Sequence, residues 1–192
     1  MSNSTIGRSP RMEFLQLDDN LRLERPAAHH AEEAVIVVQE NISHLKPWMP
    51  WAVDEYSLEH ANAWIQKSLE TSEKDGSFGL VILYDDRMIG GIGIHNLDAT
   101  HKKTELGYWI DHRFQGKGIV IRCCKALIEH CFLEMRLNRV QINCNVENAR
   151  SRAIPERLGF TFEGTIRQAE LINGEFRDWA IYGLLADDPR VW

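Results

Sequence analysis

Residues 111–124 read "DHRFQGKGIVIRCC", and within them Arg113, Gly116 and Gly118 form an R-x-x-G-x-G pattern. Glycines this close together cost backbone order unless the local geometry requires them. The stretch lies between a predicted strand ending near Ile110 and a predicted helix starting near Lys117. At such a junction the first helical turn offers unpaired N–H groups and the positive end of its dipole. Glycines leave those donors uncovered, so the pattern predicts a nest for phosphate or pyrophosphate. A tight turn that merely starts a helix is the alternative for this segment taken alone.

Two familiar nucleotide-binding patterns fail here. The P-loop requires Gly-Lys-Ser/Thr, and "GKGI" lacks the hydroxyl that would hold magnesium. The dinucleotide fingerprint needs a third glycine in a parallel βαβ unit, and none follows Gly116 and Gly118 at that spacing. His29, His30, His44, His60, His95, His101, His112 and His130 show no metal-ligand spacing. Of the four cysteines, Cys123, Cys124 and Cys131 fall in one predicted apolar helix, and Cys144 lies in a predicted strand. Adjacent Cys123 and Cys124 match no zinc spacing and make a poor disulfide, so free thiols in a reducing cytoplasm are expected. No metal is expected. The breaker segment "KPWMPW" clusters Trp48, Met49 and Trp51. It can grip a substrate, make a dimer contact or anchor its own loop.

Around these residues the composition is that of one soluble domain. The 192 residues are 44% hydrophobic and 26% charged, with a formal net charge of −6. An acidic chain argues against nonspecific nucleic-acid binding and is compatible with a cationic substrate such as an amine. The opening "MSNSTIGRSPRMEF" has no apolar signal region, and no run reaches the roughly 18 apolar residues of a membrane span. The expected location is the cytoplasm, away from membranes, where the "NST" and "NIS" sequons carry no glycan.

The elements that must position these residues follow from periodicity. Residues 1–20 are expected to be a flexible start or an edge strand, and "LRLER" a short strand ended by Pro26. Helices are predicted over 27–45 and over 58–72, the second capped by Ser57 with His60 at its third position. "FGLVILY" and "MIGGIGIH" form a hairpin across "DDR", followed by the strand "TELGYWID". A long helix over 117–136, the alternating strand "RVQINCNV", a short helix ending at Gly159 and two strands around "NG" complete the chain. The expectation is one α/β domain (α+β) with a mixed, mainly antiparallel sheet of about seven strands flanked by helices.

The ordered blocks "ELGYWI", "QGKGI", "LNRVQINCNVENARSRAIPERLGF" and "EGTIRQAELINGEFRDWAIYGLL" resemble the GCN5-related N-acetyltransferase (GNAT) superfamily. Within it the resemblance is to the Rim-type ribosomal-protein N-terminal acetyltransferases, and it covers about residues 78–185. It implies an acetyl-CoA-binding core over 78–185 and variable acceptor-side helices over 26–75. It further implies that the amides of Arg113, Phe114, Gln115, Gly116, Lys117, Gly118 and Ile119 hold the pyrophosphate of acetyl-CoA. Trp109 and Ile110, on a strand that splays from "RVQINCNV", would bond the pantetheine arm. Asn148 would contact the cofactor, cap the next helix, or do both.

The implied reaction is acetylation of a primary amine. An α-amine with pKa about 8 is roughly a tenth neutral at pH 7, so a carboxylate base helps. Glu170 matches the position where Rim-type enzymes carry that base, with Glu163 and Glu105 as fallbacks. A backbone N–H of the splayed strand is the expected oxyanion donor. Many superfamily members protonate the departing thiolate with a tyrosine four residues before the Gly of the "GF" pair. Here that residue is Pro155, and the Rim-type alternative maps to Ser151, for which helix capping is the competing role. The expected acceptor is the N-terminal α-amine of a (ribosomal) protein. A small amine acceptor (polyamine, amino acid or antibiotic) and a non-catalytic CoA-binding module are the alternatives, and the resemblance allows a homodimer.

Overall fold

In the computed structural model, residues 14–74 and 76–192 are described. The "NST" sequon and the first part of the expected flexible start lie outside them. Among the described residues eight strands form one sheet: β1 (Phe14–Gln16), β2 (Leu21–Glu24), β3 (Phe78–Tyr84), β4 (Arg87–Asp98), β5 (Lys103–Ile110), β6 (Arg139–Asn145), β7 (Thr161–Ile172) and β8 (Glu175–Leu185). Their spatial order is β1-β2-β3-β4-β5-β6-β8-β7. Every neighbouring pair is antiparallel except β5 and β6. The expected seven becomes eight because "FLQ" folds back on β2, where Asp18 Oδ1 accepts from the amides of Asn20 and Leu21.

The sheet is covered on both faces, which is why β3 reads as a continuous apolar run rather than an alternation. Leu80 and Ile82 enter one core with α4 (Ile119–Glu129) and α5 (Ala149–Arg157). Val81 and Leu83 enter the other, with α1 (Ala31–Glu40) and α3 (Leu58–Lys74). The β3–β4 hairpin turns through Asp85 and Asp86, both at positive φ, as a two-residue turn requires. No helix among the described residues is long and apolar enough to cross a membrane.

Helix boundaries depart from the periodic expectation in each of the three longer helices. The helix expected over 27–45 opens as a 3-10 turn at Ala28–His30 and breaks at Asn41, after which α2 spans Ile42–Leu45. Asn41 is fully buried and spends its amide on the Val37 carbonyl at 2.8 Å. The helix expected over 117–136 starts at Ile119, because Gly118 sits at φ +73°, and α-helical geometry ends at Glu129. Residues His130–Glu134 then form a π turn closed by the Met135 amide on the His130 carbonyl at 3.0 Å. α3 begins as predicted, with His60 Nδ1 accepting from the Ser57 amide and hydroxyl, and runs two residues further than expected.

Candidate active site

β5 and β6 pair through only three residues, Lys103–Glu105 against Arg139–Gln141, and then diverge. On its other side β5 stays paired with β4 as far as Ile110 against Gly90. The Asp111 amide donates to the Ile89 carbonyl at 2.7 Å. By antiparallel alternation, the backbone groups of Tyr108 and Ile110 therefore face the gap toward β6. A sheet opened in this way leaves a line of backbone donors and acceptors for an amide-rich ligand. The opening continues into a cavity of about 650 Å³ that reaches the aromatic residues of the acceptor-side helices.

The glycine loop follows directly on β5. Gly116 and Gly118 both sit at φ +73°, and a Cβ on either would meet nothing within 4 Å. The glycines are thus required by backbone conformation rather than by space. The amides of Arg113, Phe114 and Gln115 are used internally, on Asp111 Oδ1, the Asp111 carbonyl and the His112 carbonyl. Those from Gly116 to Ile121 donate to no group among the described residues, and Gly118 caps the helix without a side chain. The amides left without an acceptor are therefore six in succession, beginning three residues after the pattern's arginine.

The Arg113 guanidinium is turned away from this nest. Its Nε reaches both Asp111 oxygens at 3.0 and 2.9 Å, and Nη2 reaches Glu40 at 2.6 Å. Burial alone would raise the Asp111 carboxyl, yet hydrogen bonds from Arg113 hold it below its ordinary value. His112 donates from its amide and Nδ1 to Asn41 Oδ1 at 2.9 and 2.8 Å. Gln115 Nε2 donates to His44 Nε2 at 2.5 Å and its carbonyl accepts from Arg150 at 2.8 Å. Lys117 lies over the Phe114 ring at 4.7 Å. Side chains of the loop fasten it to α1, α2 and α5, and the free amides remain for a ligand.

Asn148 caps α5, its Oδ1 accepting from the Ser151 amide at 3.1 Å, and it also lines the cavity. Ser151 is therefore the third helical residue and not the cap. Its Oγ lies 3.3 Å from Cys144 Sγ and 3.5 Å from the Tyr108 hydroxyl. Glu170 reaches the same cavity from β7, where Trp179 Nε1 donates to its Oε2 at 3.1 Å. An irregularity between Ile166 and Glu170 sets that orientation. Gln168 stands at φ +52° with its amide on Asp178 Oδ1 at 2.8 Å. Glu163 instead accepts from Arg139 at 2.6 Å, which holds its carboxyl below the ordinary value, and neither it nor Glu105 lines the cavity.

Trp109, Trp48, Met49 and Trp51 also line the cavity, with the Trp51 and Trp109 rings 5.7 Å apart. Gly91 makes room for Trp109, since a Cβ there would lie 2.7 Å from the indole nitrogen. Sequence reading passed over Tyr108, Asn145 and Trp179. Asn145 Nδ2 is buried without a partner among the described residues and lines the gap, a donor suited to a carbonyl-bearing ligand. Away from the cavity, Glu24, His29 and His30 bring ligand atoms within 4.8 Å of one another. The Ala27 amide donates to His30 Nδ1 at 3.0 Å, which leaves that imidazole's proton on Nε2, facing Glu24. His30 is thus presented as a donor to a carboxylate, the wrong state for a metal ligand.

Known proteins are similar to this chain over most of its length. A family model described as an acetyltransferase (GNAT) domain matches residues 20–161. The chain is 36% identical over 167 residues to the "Putative ribosomal N-acetyltransferase YdaF" of Bacillus subtilis (strain 168), covering 84% of this chain and 87% of that one. It is 28% identical to the ribosomal-protein-serine acetyltransferase of Escherichia coli (strain K12), over 91% and 98% of the two chains. The solved structure of RimL, a ribosomal L7/L12 α-N-protein acetyltransferase in complex with coenzyme A, superposes with a TM-score of 0.85 at 26% identity, over 90% and 98%. A strand pair that opens beside a glycine loop of unpaired amides, in a chain so matched along most of its length, is the mark of one family: this protein belongs to the GNAT acetyltransferases.

Proposed function

We propose that this enzyme transfers the acetyl group of acetyl-CoA to the α-amine of a protein N-terminus, with ribosomal proteins as the acceptor class. The observation that carries this reading is the single carboxylate, Glu170, among the described residues lining a cavity that runs from the β5–β6 gap to the acceptor-side aromatics. A polyamine would bring a second ammonium into a lining whose other ionisable groups include Lys67, His60 and His95. One carboxylate suits an acceptor with one amine to deprotonate. The names of the relatives, which act on ribosomal proteins, support the same acceptor. Four free, buried cysteines fit a reducing compartment, in line with a cytoplasmic site of action.

In this mechanism the amides from Gly116 to Ile121 bind the pyrophosphate, and the β5 edge at Tyr108 and Ile110 together with Asn145 bonds the pantetheine arm. Glu170 takes the proton of the attacking amine, directly or through one water, as the C–N bond forms. A β5 amide stabilises the thioester oxygen as it gains charge. Ser151 Oγ donates its proton to the departing sulfur as the C–S bond breaks, and solvent restores it. Thiol release from acetyl-CoA, measured with a panel of N-terminal peptides and of small amines, tests the assignment. The expected result is turnover with peptides carrying a free α-amine and none when that amine is blocked. Faster turnover with spermidine-like or amino-acid acceptors than with any peptide would overturn it.

A further inference from the structure

Pro155 stands seven residues into α5, beyond the first turn, where a proline normally breaks a helix. Its missing N–H would have bonded the carbonyl four residues back, which is that of Ser151. That carbonyl is not orphaned: the Tyr108 hydroxyl, from β5 across the gap, donates to it at 3.0 Å. The same hydroxyl oxygen lies 3.5 Å from Ser151 Oγ. Having given its one proton to the carbonyl, it can only accept from Oγ. Burial pushes the Tyr108 phenol well above its ordinary value, so it remains a donor throughout the neutral range.

We infer that Tyr108 is a positioning residue for acetyl transfer: it takes the place of the Pro155 amide as partner of the Ser151 carbonyl and so fixes Ser151 Oγ at the β5–β6 gap. The proline and the tyrosine form one device. Proline in place of a tyrosine at position 155 removes the helix's own bond, and Tyr108 pins the opened carbonyl to the sheet. The first turn of α5 is thereby tied to the strand that would bind the pantetheine arm. Thiolate protonation then depends on a contact outside the helix. The inference rests on Ser151 acting as the proton donor.

Steady-state kinetics of Tyr108→Phe, Ser151→Ala, Pro155→Ala and their pairwise combinations test it. Tyr108→Phe, which removes one oxygen, is expected to lower kcat about tenfold while the KM for acetyl-CoA stays within about twofold. In the Ser151→Ala background the same change is expected to have no further effect on kcat. In the Pro155→Ala background the restored amide bonds the Ser151 carbonyl, and most of the Tyr108→Phe defect disappears. If Tyr108→Phe alone fails to fold, the Tyr108→Phe/Pro155→Ala protein still supplies that carbonyl with a partner and carries the test. A full-strength Tyr108→Phe enzyme overturns the inference. So does a penalty equally large with and without Ser151, or a defect that Pro155→Ala leaves untouched. Ser151→Ala with full turnover instead removes the donor role itself, a different pattern from an impaired Ser151→Ala with an additive Tyr108→Phe.

Discussion

At the scale of single residues, the proposed base, Glu170, is the group whose role a conservative change isolates most cleanly. Glu170 is half-buried, and the Trp179 indole holds one of its oxygens, which leaves the other for the acceptor amine. Glutamine keeps an oxygen for Trp179 and loses only the ability to take a proton. Glu170→Gln is therefore expected to lower kcat/KM by about 10²-fold or more, the usual scale of general-base catalysis. Thermal stability should be unchanged. An unaltered rate would return Glu170 to the status of a strand residue that orients Trp179.

At the scale of elements, the glycine loop joins strand to helix through a residue that L side chains resist. Gly118 is the cap of α4 at φ +73° with open space around it. Gly118→Ala should meet no clash and cost about 1–2 kcal/mol of left-handed strain. For a chain of this length that predicts a Tm lower by about 2–8 °C. The KM for acetyl-CoA should rise as the following amides lose their common direction, whereas the acceptor KM should not. An unchanged Tm, read by calorimetry, would mean the loop rearranges freely. Much of this element was legible in sequence, because a hairpin turn, an alternating strand and a glycine pair are local signals. The strands β2 to β8 lie within a few residues of their expected positions for that reason. What depended on distant partners was not. The direction of the Arg113 side chain is set by Glu40, 73 positions earlier. Tyr108 is silent because its partner is a backbone carbonyl 43 positions away, exposed by a proline. Asn41 ends α1 inside an apolar periodic run because its side chain serves His112.

At the scale of the whole molecule, the core that supports this site is built partly from thiols. Cys123, Cys124 and Cys131 are fully buried on α4 and its π turn, and Cys144 is buried beside the gap. Burial pushes the Cys123 and Cys131 thiols from an ordinary 9.0 up to about 12. Cys124, Cys144 and the Tyr108 phenol are raised for the same leading reason. A folded pKa above the unfolded one means that the folded state keeps protons the unfolded chain has released. The resulting stability is complete below the unfolded value and is lost as pH rises toward the folded one. Acidic groups act in the opposite direction: Asp111 and Glu163 are held low by arginines, and their contribution disappears only as pH falls through the carboxylate range. Urea unfolding should therefore give a flat stability across neutral pH and a decline beginning near pH 9. Cys131→Ala should lower the plateau by removing buried volume, yet make the alkaline decline shallower, because one proton fewer is held back. If the slope above about pH 9 is the same in Cys131→Ala and the parent protein, this thiol does not contribute to the alkaline limb.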